Sequence, residues 1–207
     1  NWKDRTLMRN DVAFGIADVF QQAFPNDGLA WNPSGQFVEL VYNGVHVGNY
    51  YLCEQIKIDG NRLDINDPYD EKDGYSGDAE DYGYLLEADD GYDESWKFTT
   101  ANYIPFLFKD DGNDEMLSYA TSFVRGVEDK LYAGNYSAAY EQLDLTSFAD
   151  YWLIQEIMMN SEMKHPKSVY MYLNRGTIYA GPIWDFDWNT LPVSTSYAEE
   201  GYSYTKS

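Results

Sequence analysis

Gly181-Pro182-Ile183-Trp184-Asp185-Phe186-Asp187-Trp188 is the stretch whose reading organises this chain. It follows an apolar segment, Thr177 to Ala180, which pairs in pattern with Ser168 to Leu173 across the turn residues Asn174-Arg175-Gly176. Two acids separated by one aromatic and flanked by two tryptophans, directly after a strand, set a physical problem. Alternate residues of an extended strand share a face, so Asp185 and Asp187 are expected side by side. Two carboxylates about 4 Å apart repel by roughly 4 kcal/mol at an effective dielectric near 20, and water-excluding aromatic neighbours increase the conflict. A divalent cation removes it, as does a raised pKa or divergence of the side chains at a turn. A strand end carrying two solvated acids is the plainer alternative.

Upstream lies an irregular stretch, Asn160-Ser161-Glu162-Met163-Lys164-His165-Pro166-Lys167, which contributes a carboxylate, Glu162. His165 in the same stretch can assist proton transfer or simply stabilise the loop. Before it, a helix starts near Asp144-Leu145-Thr146-Ser147 and carries Phe148, Tyr151, Trp152, Ile154, Gln155 and Met158. It is apolar almost all round, so burial is expected. A further helix is expected over Asn113 to Gly134, with Met116, Tyr119, Phe123, Val127 and Leu131 on one stripe.

The first half is organised differently. Thr6 to Ala23 reads as a helix with Asp4 or Thr6 as cap and Leu7, Val12, Ile16, Val19 and Phe20 near helical spacing. Phe37 to Tyr42 and Val45 to Ile58 read as strands joined by Asn43-Gly44, a strong hairpin signal because a type I′ turn needs two residues tolerant of positive φ. A bulge or bend is expected at Gly48, and His46 beside the turn is a surface strand residue. Residues 66 to 82 are acidic and turn-rich, a surface loop, and Tyr84 to Glu87 is a further strand. Helices and strands are segregated, so the fold class is α+β.

Composition narrows the partners. The chain has 207 residues, 44% of them hydrophobic, enough for one domain with a real core. Its formal charge is −21, with 14 basic residues against 35 acidic ones, which disfavours nucleic acid and anionic membranes. No apolar run approaches the roughly 20 residues of a membrane-spanning helix. Cys53 is the only cysteine, which rules out an internal disulfide and a Cys-ligated zinc site; in its apolar strand it reads as a small buried hydrophobe. The first residue is Asn1 rather than Met, so the sequence reads as a piece whose natural start lies upstream.

The order of helix, acid-bearing loop, two short strands and an Asp-Phe-acid segment resembles the catalytic half of a protein kinase. There the loop acid positions a substrate hydroxyl, and the later Asp holds Mg²⁺. Asp4 to Asn10, Val38 to Gly44, Gly48 to Ile56, Gly83 to Glu87 and Gly181 to Trp188, five ordered blocks, resemble the spore-coat CotH kinase family. That resemblance implies an atypical protein-kinase-like fold over residues 1 to 193, with 194 to 207 an unanchored tail. It implies bacterial origin, an exported or cell-surface location, Mg²⁺ (or Mn²⁺) and ATP as cofactors, and phosphoryl transfer to a protein acceptor.

By the same resemblance Asp185 and Asp187 are the metal ligands, Glu162 is the catalytic acid that orients the acceptor, and Ser168 is the polar ligand of the loop. Glu54 would lie near the nucleotide. Arg62 and Lys109 are the basic candidates for its phosphates, each of which can instead pair with local acids. Lys57 is a third basic residue, placed on the face of Gln55. The sequence departs from the family pattern in three places. Glu162 stands where the family carries Asp, Lys167-Ser168 stands for its Lys-Asn pair, and its N-terminal Arg-Gly-Asn-Ser-type block with a following Lys has no counterpart here. A second expectation, from a different functional class, is a catalytically silent adhesion or glycan-binding module, favoured by the acidity and by 17% aromatic residues.

Overall fold

In the computed structural model, residues 3–66, 78–90, 94–164, 167–188 and 190–191 are described. His165, most of the acidic loop and the C-terminal tail singled out from the sequence lie outside them. The architecture is α+β, with mixed helices and antiparallel sheets.

Helix α1 spans Met8–Ala23. The Asp4 carboxylate, nearly fully buried, accepts the Arg9 and Thr6 backbone N–H groups and the Thr6 hydroxyl, so it serves the first turn from outside the helix. The buried face of α1 differs from the expected stripe. Ala13, Phe14 and Ala17 are inside, whereas Val12 and Val19 are 39% and 60% exposed. Two alanines let the helix approach its neighbours closely, and Phe14 fills the remaining gap, so the larger branched residues are rotated outward.

Strands β1 (Gly35–Tyr42) and β2 (Val45–Cys53) form a separate two-stranded antiparallel ribbon. Asn43 and Gly44 both take positive φ, 50° and 80°, as the type I′ turn requires. Leu40 pairs Gly48 while Val41 pairs His46, which puts the expected bulge at Val47 and Gly48. β2 ends at Cys53 rather than Ile58, because its partner strand begins at Gly35 and offers nothing beyond. An isolated ribbon is marginal; this one is held on one face, where Tyr51 meets Phe14 and Phe37. Cys53, at its end, is half-buried rather than fully inside.

The main sheet has five antiparallel strands in the order β4-β5-β3-β6-β7, with β3 at Gly83–Ala88, β4 at Lys97–Thr99, β5 at Pro105–Phe108, β6 at Val169–Asn174 and β7 at Thr177–Ala180. β4 and β5 were not legible in advance, being three and four residues long with a proline opening the second. β3 is buried along its whole length. One face of the sheet, with Tyr84, Leu86, Phe106, Phe108 and Leu173, packs on helix α2 (Asp114–Tyr132) through Met116, Ala120, Val124 and Val127. The Asn113 side chain caps α2 by accepting the Met116 N–H at 2.9 Å. The opposite face, with Leu85, Tyr170 and Tyr172, is covered by Ile56, Ile58 and Leu63 and flanked by Trp184.

A short helix α3 (Tyr136–Tyr140) leads to α4 (Leu145–Ile157), capped by Asp144 onto the Ser147 N–H at 2.7 Å. α4 packs on α1 and β7, and its buried side holds Tyr151, Ile154 and Gln155. The expectation that it is buried all round is not met. Leu145, Trp152, Leu153 and Ile157 are 41–51% exposed, since no other element among the described residues covers that side.

Candidate functional site

The segment after β7 is anchored from three directions. Phe186 is fully buried with Ile183, Ile154 and Met158. Its N–H donates to the Asn10 side chain of α1 at 2.8 Å, and its carbonyl accepts the buried Thr190 hydroxyl. Arg9 reaches the Asp187 carbonyl at 3.4 Å. Trp184 stacks on Phe14. Aromatic burial thus fixes the backbone on both sides of Asp185 and on the N-terminal side of Asp187.

The two aspartates are not presented by a strand pleat, as the sequence pattern suggested. β7 stops at Ala180, and Asp185 adopts φ 61°, a left-handed conformation that Asp and Asn tolerate better than other side chains. A turn, not alternation, therefore brings Asp185 and Asp187 together. The Asp187 carboxyl lies beside that of Asp185, and the Ser168 side chain bonds the Asp185 carboxyl. Burial first, and then Asp187, pushes the Asp185 carboxyl above the ordinary range, with Glu87 adding to the shift and Ser168 opposing it.

Glu162 sits in a short 3₁₀ turn, Glu162–Lys164. Its N–H donates to Asn160 Oδ1 at 3.1 Å, and the Asn160 amide donates to Gln155 of α4 at 2.8 Å. Asn160 and Gln155 are both buried, so the turn hangs on an internal polar pair. Its carboxyl is pushed up to about 7, by burial first and then by the charges of Asp185 and Asp187. Lys167 and Lys3 pull the other way.

Asp185 and Asp187 line a cleft of about 480 Å³ with Asp4, Asn10, Asn49, Tyr51, Cys53 and Trp184. The cleft thus opens between α1, the β1–β2 ribbon and the segment from Trp184 to Asp187, and Glu162 is not among its lining residues. Burial raises the Cys53 thiol pKa, and the neighbouring Asp187 adds to it.

The remaining sequence candidates have local partners. Glu54 accepts the Ser34 N–H and hydroxyl at 2.9 and 2.8 Å, closing the open end of the ribbon. Arg62 pairs with Asp59 at 3.6 Å. Lys57 is exposed. Lys109 pairs at 2.7 Å with Glu87.

The sequence reading missed two acids, one on β3 and one just beyond its end. Glu87 is buried and directly opposite Tyr170 in register. Asp89, two residues on, accepts the Ser168 N–H at 3.4 Å. Their signal was available: an acid inside a strand that is otherwise apolar needs a partner when buried.

Two carboxylates and a hydroxyl form a set of hard oxygen donors. Among the described residues no group of three or more His, Cys, Asp or Glu side chains is arranged to hold a metal by itself. By the chemistry of its donors such a set would suit a cation such as Mg²⁺, which takes one or two carboxylates and keeps waters or phosphate oxygens for its other positions. It does not fit an ion caged wholly by protein.

The structure is thus an α+β protein with an acidic cleft at the junction of a helix, a ribbon and a strand-end turn. Residues 1–204 match the family model described as CotH kinase protein, and the chain belongs to that family. No curated protein and no solved structure was found to match it. No helix among the described residues is long and apolar enough to cross a membrane.

Proposed function

We propose that the chain is an atypical kinase domain that binds Mg²⁺–ATP at Asp185 and Asp187 and transfers phosphate to a protein hydroxyl. The observation that carries this reading is the meeting of Asp185 and Asp187, on the turn after β7, with the Ser168 side chain just before β6, and with Glu162 close enough to feel both aspartates. Like charges gathered in a partly buried cleft are costly unless a cation is part of the working state.

In this reading Mg²⁺ (or Mn²⁺) would bring the nucleotide phosphates to the cleft and neutralise charge there. Ser168 holds the Asp185 carboxylate in orientation. Glu162, its carboxyl raised by burial, would accept the proton of an acceptor hydroxyl as that oxygen bonds to the γ-phosphorus and the bond from phosphorus to the departing ADP breaks. Lys109 supplies a cation for the phosphate chain. Glu54 and Arg62, both engaged locally, contribute to the nucleotide side only by shaping the ribbon and the segment after it. A bacterial, exported or surface location and a protein acceptor are part of the same proposal.

The test is thermal unfolding with Mg²⁺ and ATP, followed by transfer of labelled phosphate to a Ser- and Tyr-rich acceptor. A rise in melting temperature with Mg²⁺ that ATP enlarges and that disappears in Asp185→Asn, with transfer lost in Glu162→Gln, is expected. Absence of any nucleotide-dependent shift would overturn it. The exposed rings of Tyr42, Tyr50 and Tyr103 favour the second reading, a glycan-binding module, which a shift with oligosaccharides but not nucleotide would establish.

A further inference from the structure

Glu87 is an acid where the fold has no structural need of one. β3 is the central strand of the five-stranded sheet, buried on both faces, and its other side chains are Tyr84, Leu85, Leu86 and Ala88 beyond Gly83. Alternation puts Glu87 on the same face as Leu85 and Asp89, away from α2. That is the face which Tyr170 occupies on β6 and against which Trp184, the residue before Asp185, packs.

The Glu87 carboxylate is 7% exposed and holds two groups. The Lys109 ammonium lies 2.7 Å from Oε2. The Tyr170 hydroxyl is hydrogen-bonded to the same carboxylate, and burial with this acid beside it raises the phenol's pKa. Lys109 is itself anchored, since its backbone N–H donates to the Leu85 carbonyl at 3.0 Å immediately after β5. Its side chain is 29% exposed, so the cation has one side toward solvent and one toward the carboxylate. The pair lies close enough to the acid turn for Glu87 to act on Asp185.

Burying an ion pair gives little net stability over an apolar pair of the same volume. Its maintenance beside an acidic cleft is explained by what it positions. We propose that Glu87 is a positioning residue of the site, holding the Lys109 ammonium where phosphate oxygens brought to Asp185 meet it. The inference rests on the reading of the cleft as a metal–phosphate site and adds to it the residue that fixes its cation. Tyr170, whose hydroxyl also meets the Glu87 carboxylate, helps hold it in place beside Lys109.

The experiment is a double-mutant cycle on the full chain with Glu87→Gln, Lys109→Met and both together. The amide of Glu87→Gln keeps the shape and an acceptor, and the double variant leaves no buried charge unpaired. Three probes are titrated: Mn²⁺ alone, Mn²⁺ with tripolyphosphate, and Mn²⁺ with ATP. The expected result is a loss of roughly 10- to 150-fold in affinity for both phosphate ligands in Lys109→Met, the span of one charge-assisted contact. Glu87→Gln falls in the same direction, the double variant loses no more than Lys109→Met alone, and affinity for Mn²⁺ alone stays within about threefold. A merely structural role would lower metal and phosphate binding together. Unchanged phosphate affinity in Glu87→Gln and Lys109→Met, or losses that multiply in the double variant, overturns the inference and leaves the kinase reading intact. Binding of tripolyphosphate but not ATP by the unmodified chain removes the nucleotide reading, and the cycle then still decides the role of Glu87. Binding of neither overturns both.

Discussion

Replacing Asp185 by Asn should make the metal-free protein more stable at neutral pH while abolishing its response to divalent cations. The Asp185 carboxyl is pushed from 3.8 up to about 6, by burial first and by Asp187 next. At 1.36 kcal/mol per pKa unit that shift corresponds to at most about 3 kcal/mol held against the ionised form. Part of the group is in contact with solvent, and screening reduces the figure to about 1–2 kcal/mol. The sign follows from proton binding. Between 3.8 and about 6 the folded state holds more protons than the unfolded one, so stability falls as pH rises through that window.

Asn removes the ionisable group, tolerates the left-handed φ of 61° and can still accept the Ser168 hydroxyl. The expected gain is a melting temperature higher by about 2 to 8 °C at pH 7.5 for a chain of this size. The gain should shrink to nothing near pH 4, where the native protein is protonated as well. Calorimetry or circular dichroism melts of both proteins from pH 4 to 8, with and without Mn²⁺, measure it. A variant that is less stable at pH 7.5, or a gain independent of pH, would refute the argument that the two aspartates are in conflict without a cation.

Two further outcomes follow from the same geometry. Glu162→Gln should flatten the pH dependence of stability between about 4.5 and about 7, because a carboxyl raised to about 7 makes the native protein lose stability as pH rises across that range; metal-free melts at four pH values check it. Phe186→Ala removes a fully buried ring between the two aspartates and should cost about 3–5 kcal/mol. Urea unfolding of the variant should show this loss, with the Mn²⁺ response weakened because the turn is no longer pinned.

Local chemistry made much of this fold readable in the residues alone. Asn43-Gly44 dictated a hairpin because few other pairs accept positive φ twice. Asn113 and Asp144 announced helix starts because their short side chains satisfy orphan N–H groups. The acids of the candidate site also drew notice in the sequence: Asp185 and Asp187 by their aromatic frame, and Glu162 by its place in an irregular loop. What eluded the sequence depended on which surfaces meet. The inward face of α1 is set by close approach through Ala13 and Ala17, which no hydrophobic count weights highly. The exposed side of α4 is apolar, so its exposure comes from the lack of a covering element among the described residues and not from periodicity. The convergence of Asp185 with Asp187 comes from a left-handed residue after the strand has ended. Glu87 and Lys109 are 22 positions apart, and only the antiparallel pairing of β3 with β5 and β6 brings the carboxylate to its cation and to Tyr170. Side-chain spacing along a chain is local information, whereas a charge pair across a sheet is a property of strand order, which tertiary packing decides.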